Sequence, residues 1–474
     1  MNASTTDGSR RSLAVADWAP PIALLLGTVV IGGALGGLIR PLFVLGCGAV
    51  GVYAWRRGPA AHFYSILLLF AFAPFARRVV DVQIGFDYSS LMLVGPLLAI
   101  IITGPDVLRH LFSGGSNNRL APIFIVALCV AYAVILTIAQ GNWSDAISNT
   151  LKWSAPLVYG AALAINARND DILDAAISAF AIILPITGAY AIYQYVDPPE
   201  WDRFWMQYAS IMSAGQPVPY GVRSFSTLNG PASYATFTAA GLLLTFFLRR
   251  SWLSILIMLP AFMGLLLSQY RTAWIAVGAG LLFCLLFNAT RLRASLVIVG
   301  AIGLGLLALT IPPFSDVIGD RIASFTQGGQ DGSAQERLQQ YVTLWAEPDA
   351  SLFGIGFSTV DVGTAGAMAV DGMIIACWLA MGIPVGILCL FAFVWAASLP
   401  VIDAFRVRSA EAIVVGAFGI GALSQIPLAN LGSGELGMLF WSIIVQTPLS
   451  RHLSHVRPPG PDIAQYPTVS PYWR

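Results

Sequence analysis

Arg271 stands in LLLSQYRTAWIAV, between two apolar runs with almost no loop to carry it. A guanidinium at that depth must be paired, hydrated or bound to an anion. Its planar fork suits bidentate contact with a phosphate, and Ser268 and Tyr270 add hydroxyls beside it. The plainer alternative is an interfacial arginine snorkelling to lipid headgroups. Arg223 lies in YGVRSFSTLNGPASYATF, just ahead of another apolar run. Ser224, Ser226, Thr227 and Asn229 offer hydroxyl and amide groups, and Pro231 suits the first turn of a helix. An arginine beside the free N–H groups of a helix N-terminus makes an anion site; an ordinary capped loop is the alternative.

A second polar stretch begins near Arg321 and ends at Asp371. Within it Leu338, Val342 and Trp345 recur at helical spacing, and Ser333 followed by Glu336 reads as a capped helix start that puts Arg337 one turn in. Gly354 and Gly356 mark a turn. Asp371 directly precedes an apolar run, where it suits either an N-cap or a carboxylate acting as general base. Elsewhere Trp201, Phe204, Trp205 and Tyr208 cluster with Glu200, Asp202 and Arg203. Rings that stack on sugar faces, beside acids that accept from sugar hydroxyls, suit glycan binding through Trp201, Trp205 and Asp202. An interfacial aromatic belt is the alternative.

Membrane helices are expected to hold these residues. Of 474 residues 57% are hydrophobic and 10% charged, against about 25% charged in soluble domains. That composition excludes a soluble globular protein and a disordered one, and leaves an all-α polytopic integral membrane protein. The net charge of +1 offers no basic face to nucleic acid. The five cysteines sit singly in apolar runs without zinc-ligand spacing, so neither a metal site nor a disulfide framework is expected. Arg10 and Arg11 precede a long apolar run with no small-residue cleavage site after it, so a cleavable signal is not expected.

Segments of roughly 20 apolar residues recur along the chain, and 12 to 14 membrane passes are expected from them. The divisions are a cytoplasmic tail at 1–18, helices over 19–196, a long external loop at 197–231, and central helices over 232–311. A second long external loop follows at 312–370, then helices over 371–450 and a proline-rich tail at 451–474. With both termini inside, most arginines fall on the cytoplasmic side, as the positive-inside rule requires. Nine cations then remain outside: Arg40, Arg77, Arg78, Lys152, Arg203, Arg223, Arg271, Arg321 and Arg337. All four histidines fall inside. The cytoplasmic connections are short, so the working surface is expected to face outward. No internal repeat supports the inverted architecture of many transporters.

Four segments in order resemble the O-antigen ligase and Wzy-type polymerase superfamily, polytopic glycosyltransferases of the bacterial envelope. They are RSFSTLNGPASYATF; SQYRTAWIAVGAG; SAQERLQQYVTLWAEPDASLFGIGF, similar to an S-x-x-x-R…W…P-x-x-G-x-G pattern; and VDGMIIACWLAMGIPVGIL, similar to an H-N-x-x-L…G-x-x-G pattern. The likeness spans about residues 216–388. It implies a GT-C-like fold in the inner membrane and a reaction at its periplasmic face. A glycan on a polyprenyl diphosphate is transferred with inversion to an acceptor hydroxyl, with no nucleotide sugar, no cofactor and, in the ligases, no required metal. Carried onto this chain, Arg223, Arg271 and Arg337, with Arg321 as a further candidate, bind the diphosphate. The ligases place a histidine where this chain has Asp371, which favours a polymerase of repeat units for exopolysaccharide, capsule or O-antigen over a lipid A-core ligase. Such a polymerase would keep membrane lipid around it, with a chain-length regulator and export proteins as partners. A lipid-linked oligosaccharide flippase is the competing class; it should show paired charges or broken helices near the bilayer midplane. A non-catalytic scaffold would tolerate loss of Arg271 and Asp371.

Overall fold

In hydrocarbon every backbone N–H and C=O must be satisfied within the protein, which forces an apolar chain into helices. The computed structural model describes residues 15–113, 118–167, 169–209, 212–248, 256–312, 314–315, 332–346, 352–357 and 372–446, and no strand occurs among them. The helices are α1 (Val15–Leu35), α2 (Ile39–Arg57), α3 (Pro59–Ile84), α4 (Val94–Ile101), α5 (Gly104–Phe112), α6 (Ala121–Ala139), α7 (Trp143–Asn166), α8 (Asn169–Val196) and α9 (Glu200–Ala209). They continue as α10 (Pro231–Leu248), α11 (Leu259–Leu267), α12 (Arg271–Leu285), α13 (Asn288–Ala308), α14 (Gly332–Ala346), α15 (Met373–Val407), α16 (Ala410–Gln425) and α17 (Gly434–Ile444).

Among the described residues eight helices are long and apolar enough to cross a membrane, fewer than the 12 to 14 passes expected. Two physical facts close most of the gap. The 42-residue stretch Ala16–Arg57 counts as one helix on length, yet it turns back at Gly36, where φ is +56°. Its two arms then pack so closely that a Cβ on Gly46 would lie 2.5 Å from Leu24 Cδ1, and their far ends meet in the Arg57–Asp17 pair at 2.7 Å. Three more apolar helices, α12, α16 and α17, are simply shorter.

The helix hairpins alternate between two ends of the bundle. One end holds Arg57–Asp17, Trp55 Nε1 donating to Asp106 at 2.8 Å, and Arg119–Asp403 at 2.9 Å. His62 lies there too, fully buried, between the Tyr159 hydroxyl at 2.9 Å and the Ala99 carbonyl at 3.1 Å. The opposite end gathers the α1–α2 turn, the α3–α4 loop, α9, the 212–230 loop, the α11–α12 turn and the α16–α17 loop. There Ser224 N–H reaches Leu267 O at 3.1 Å, and Phe314, at the start of the second long loop, stacks on Tyr195 with centroids 5.6 Å apart.

At that second end the motif glycines interlock. Helix α15 breaks at Gly382, whose φ of +71° interrupts the ladder. The carbonyls freed just before the break are taken up by another segment: Ile355 N–H reaches Leu379 O at 2.8 Å and Gly356 N–H reaches Ala380 O at 3.0 Å. Gly354 comes so near that a Cβ on it would stand 2.5 Å from Gly382 N. The strip 352–357 is pinned from its other side by Tyr132, whose hydroxyl donates to Phe353 O at 2.9 Å, and by Thr137 Oγ1, which accepts from Phe357 N–H at 2.7 Å. Both are α6 residues. The turn expected at Gly354 and Gly356 is therefore the wedge that fills a broken helix.

Candidate functional site

The site is built around the turn from α11 to α12. Ser268, Gln269 and Tyr270 reverse the chain in three residues, with Gln269 at φ +53°. Ser268 Oγ donates back to Leu265 O at 2.6 Å and accepts from Tyr270 N–H at 3.3 Å. Trp274 Nε1 donates to the same Leu265 carbonyl at 2.9 Å, tying the first turn of α12 to the end of α11. Arg271 is thereby the first residue of α12, partly exposed, at the helix end that carries partial positive charge.

Arg223 comes to the same turn from the other long loop. A short antiparallel bridge, Gly215 with Val222, holds the loop, and Arg223 N–H reaches Ala214 O at 2.9 Å. Its guanidinium donates to Gln269 O at 3.2 Å, two residues from Arg271. Two arginines separated by 48 positions in the chain therefore meet at one turn. A third strand of connections adds Asp371's neighbour. Tyr270 Oη donates to Leu428 O at 3.3 Å in the α16–α17 loop. That loop receives Met373 N–H on Ile426 O at 3.0 Å, and a Cβ on Gly372 would lie 2.6 Å from Pro427 O.

Gly372, with φ +98°, occupies the N-cap position of α15. Asp371 and Arg321 lie outside the described residues. The helix expected over 333–345 is present as α14 and includes Arg337, whose side chain lies outside the described residues. Pro231 opens α10 as expected. The hydroxyls beside it turn inward: Ser224 Oγ donates to Ala191 O at 2.9 Å and Ser226 Oγ to Thr187 O at 2.6 Å, both on α8. Thr227 Oγ1 and Asn229 Oδ1 are buried without a partner among the described residues.

Two members of the aromatic and acidic cluster of α9, Asp202 and Trp205, also face inward. Asp202 is fully buried and Trp205 is 2% exposed. Asp202 pairs with Arg78 at 2.7 Å and accepts from the Tyr190 hydroxyl at 2.7 Å and Gln194 Nε2 at 2.6 Å. Trp201 is partly exposed and donates its Nε1 to Tyr190 Oη at 2.7 Å. Trp205 and Phe225 flank Arg78, their centroids 5.8 and 4.9 Å from its Cζ. The reason is electrostatic. An arginine near the end of a membrane helix must find a carboxylate, and α9 brings one. Arg78, Gln194 and Tyr190 were missed as site residues, although the doublet Arg77–Arg78 inside an apolar run was a signal that carboxylates had to come to it.

The other arginine of the doublet enters a separate cluster. Arg77 and Arg40 both contact Asp81, at 3.3 and 2.9 Å, and Arg40 also approaches Asp87 at 3.9 Å. Burial pushes the Asp87 carboxyl up, but the Ser89 hydroxyl, the Leu91 and Ser89 amides and Arg40 outweigh it and hold the group below the usual carboxylate range. Two arginines are thus matched by two carboxylates, and this corner ties α2, α3 and the following loop together. No group of residues suited to a metal ion occurs among the described residues.

A comparison with curated proteins gives no match. A family model described as O-antigen ligase matches residues 256–390, a stretch that holds Arg271, Arg337, Asp371 and both halves of the Gly354–Gly382 interlock, while Arg223 and the Arg78 network lie outside it. Over residues 256–390 this multi-pass, helical membrane protein is therefore similar to the O-antigen ligase family.

Proposed function

We propose that the protein is a membrane glycosyltransferase that polymerises oligosaccharide repeat units carried on polyprenyl diphosphate, at the periplasmic face of the inner membrane. The observation that carries the reading is the meeting of Arg223 and Arg271 at the α11–α12 turn. The leaving diphosphate gains charge as the glycosidic bond breaks, and fixed cations at that point lower the barrier. The N-terminus of α12 adds partial positive charge. Thr227 Oγ1 supplies a buried hydroxyl still able to donate. Arg337 and Arg321 are the further diphosphate ligands in this reading, and Asp371 is the base that takes the proton of the acceptor hydroxyl. The bond that forms joins acceptor oxygen to anomeric carbon; the bond that breaks releases polyprenyl diphosphate. Of the three residues read as glycan-binding, Trp201 is partly exposed while Asp202 and Trp205 are buried, so Trp201 is the remaining candidate among them for contact with sugar. A chain-length regulator and export proteins would act beside it.

Transfer of a finished glycan to lipid A-core or another acceptor is the alternative within the same chemistry. Among the described residues the break in α15 is a feature that a transporter would share. Its freed carbonyls are occupied by Ile355 and Gly356, which argues for a structural wedge over an ion site. A deletion strain separates the readings through its lipid-linked glycans. Accumulated lipid carrying one repeat unit supports the polymerase. Accumulated long polymer on lipid would make the protein a ligase, and an unchanged pool would remove the enzymatic reading.

A further inference from the structure

We propose that Arg78 is a positioning residue for Arg223, acting through the loop 224–228; the proposal rests on the reading of Arg223 as a diphosphate ligand. Arg78 is fully buried and its charge is matched by Asp202 at 2.7 Å, so it presents nothing to a ligand itself. Its remaining donors go to two carbonyls of the loop that follows Arg223. One nitrogen reaches Leu228 O at 2.5 Å and the other reaches Ser226 O at 2.5 Å.

The same loop is held from the α8 side. Gln194 Oε1 accepts from the N–H groups of Phe225 at 2.9 Å and Ser226 at 2.8 Å, and Gln194 Nε2 donates to the Asp202 carboxylate. One carboxylate thus neutralises the arginine on one side of the loop and orients the amide on the other. Between them Ser226 is kept at φ +51°, a left-handed conformation that a residue with a Cβ holds only when its surroundings impose it. Ser224, next to Arg223, is fixed to Ala191 O. The clamp ends where Arg223 begins, and the far end of Arg223 lies on Gln269 O beside Arg271. The direction of the Arg223 guanidinium is therefore set by a chain of bonds that starts in α3.

A lysine at position 78 keeps the charge and the ion pair but cannot donate in one plane to two carbonyls two residues apart. Inorganic pyrophosphate is the probe, titrated calorimetrically into the full chain in lipid nanodiscs. Arg223→Gln should weaken pyrophosphate binding. Arg78→Lys should weaken it by roughly threefold to tenfold, and should add nothing further in the Arg223→Gln background. That missing increment is the readout a purely structural role would not give, because a general loosening weakens binding by the same factor in both backgrounds. Wild-type affinity in Arg78→Lys, with Arg223→Gln weakened, would overturn the positioning role alone. Wild-type affinity in Arg223→Gln would remove the diphosphate reading and the Arg78 role with it. If Arg78→Lys does not fold, the doubly neutral Arg78→Gln/Asp202→Asn carries the same comparison, with the same expected and contrary results.

Discussion

Asp202 is the residue where chemistry read from composition and chemistry read from geometry diverge most. Beside tryptophans it suggests an acid waiting for sugar hydroxyls, yet its oxygens are occupied by Arg78, Tyr190 and Gln194. Removing one partner of a buried ion pair costs about 3–5 kcal/mol because the other charge is left stranded. Asp202→Ala should therefore lower the thermal unfolding temperature of the purified protein sharply, while Trp201→Ala, at a partly exposed position, should lower it little. Equal small shifts would mean that Asp202 is not the anchor of α9. Asp371 is argued on its place in the chain. Asp371→Asn should abolish polymer while the protein still inserts, and normal polymer in that variant would take the base role from it. The Arg78–Asp202 pairing was not legible in the sequence, since 124 positions separate the partners. What was legible was the need: two adjacent arginines in an apolar run demand carboxylates from somewhere.

At the scale of elements, the broken helix α15 and the strip 352–357 are a single device. Neither is stable in lipid alone, because the break frees carbonyls and the strip carries unpaired N–H groups. Packed together they satisfy one another through Leu379, Ala380, Ile355 and Gly356. Gly354→Val would force a side chain into Gly382 at a φ of +78°, which valine disfavours on both counts. The variant should lose the wedge. A cysteine placed at Phe353 should then react faster with a soluble maleimide, and the unfolding temperature should fall. Unchanged reactivity and stability would show that the strip is not held by the break. The sequence made the two glycine motifs visible one at a time, as a turn and as a G-x-x-G-like pattern. Their interlock was hidden because it depends on backbone conformation at Gly382, not on side-chain pattern.

For the whole molecule, the alternation of hydrophobic runs was enough to find the helices, and short connections at one end against long ones at the other told the ends apart. A count by length alone falls below the expected 12 to 14 because the α1–α2 hairpin joins without a polar loop and α12, α16 and α17 are shorter than a full span. Which end faces outward rests on arginine asymmetry. All five native cysteines are buried, so introduced cysteines can be labelled against a quiet background. Tyr88→Cys and Tyr208→Cys should react with an impermeant maleimide from the periplasm, and Phe112→Cys only after the membrane is opened; all three positions are exposed. The reverse pattern would invert the topology and remove periplasmic transfer.

The most direct measurement is the lipid-linked glycan pool of cells whose single copy of the protein carries Arg223→Ala together with Arg271→Ala. With the protein inserted at normal levels, single repeat units on polyprenyl diphosphate should accumulate and polymer should vanish. Polymer at the wild-type level in that strain would contradict the account, because the two arginines brought to the α11–α12 turn would then have no part in the reaction.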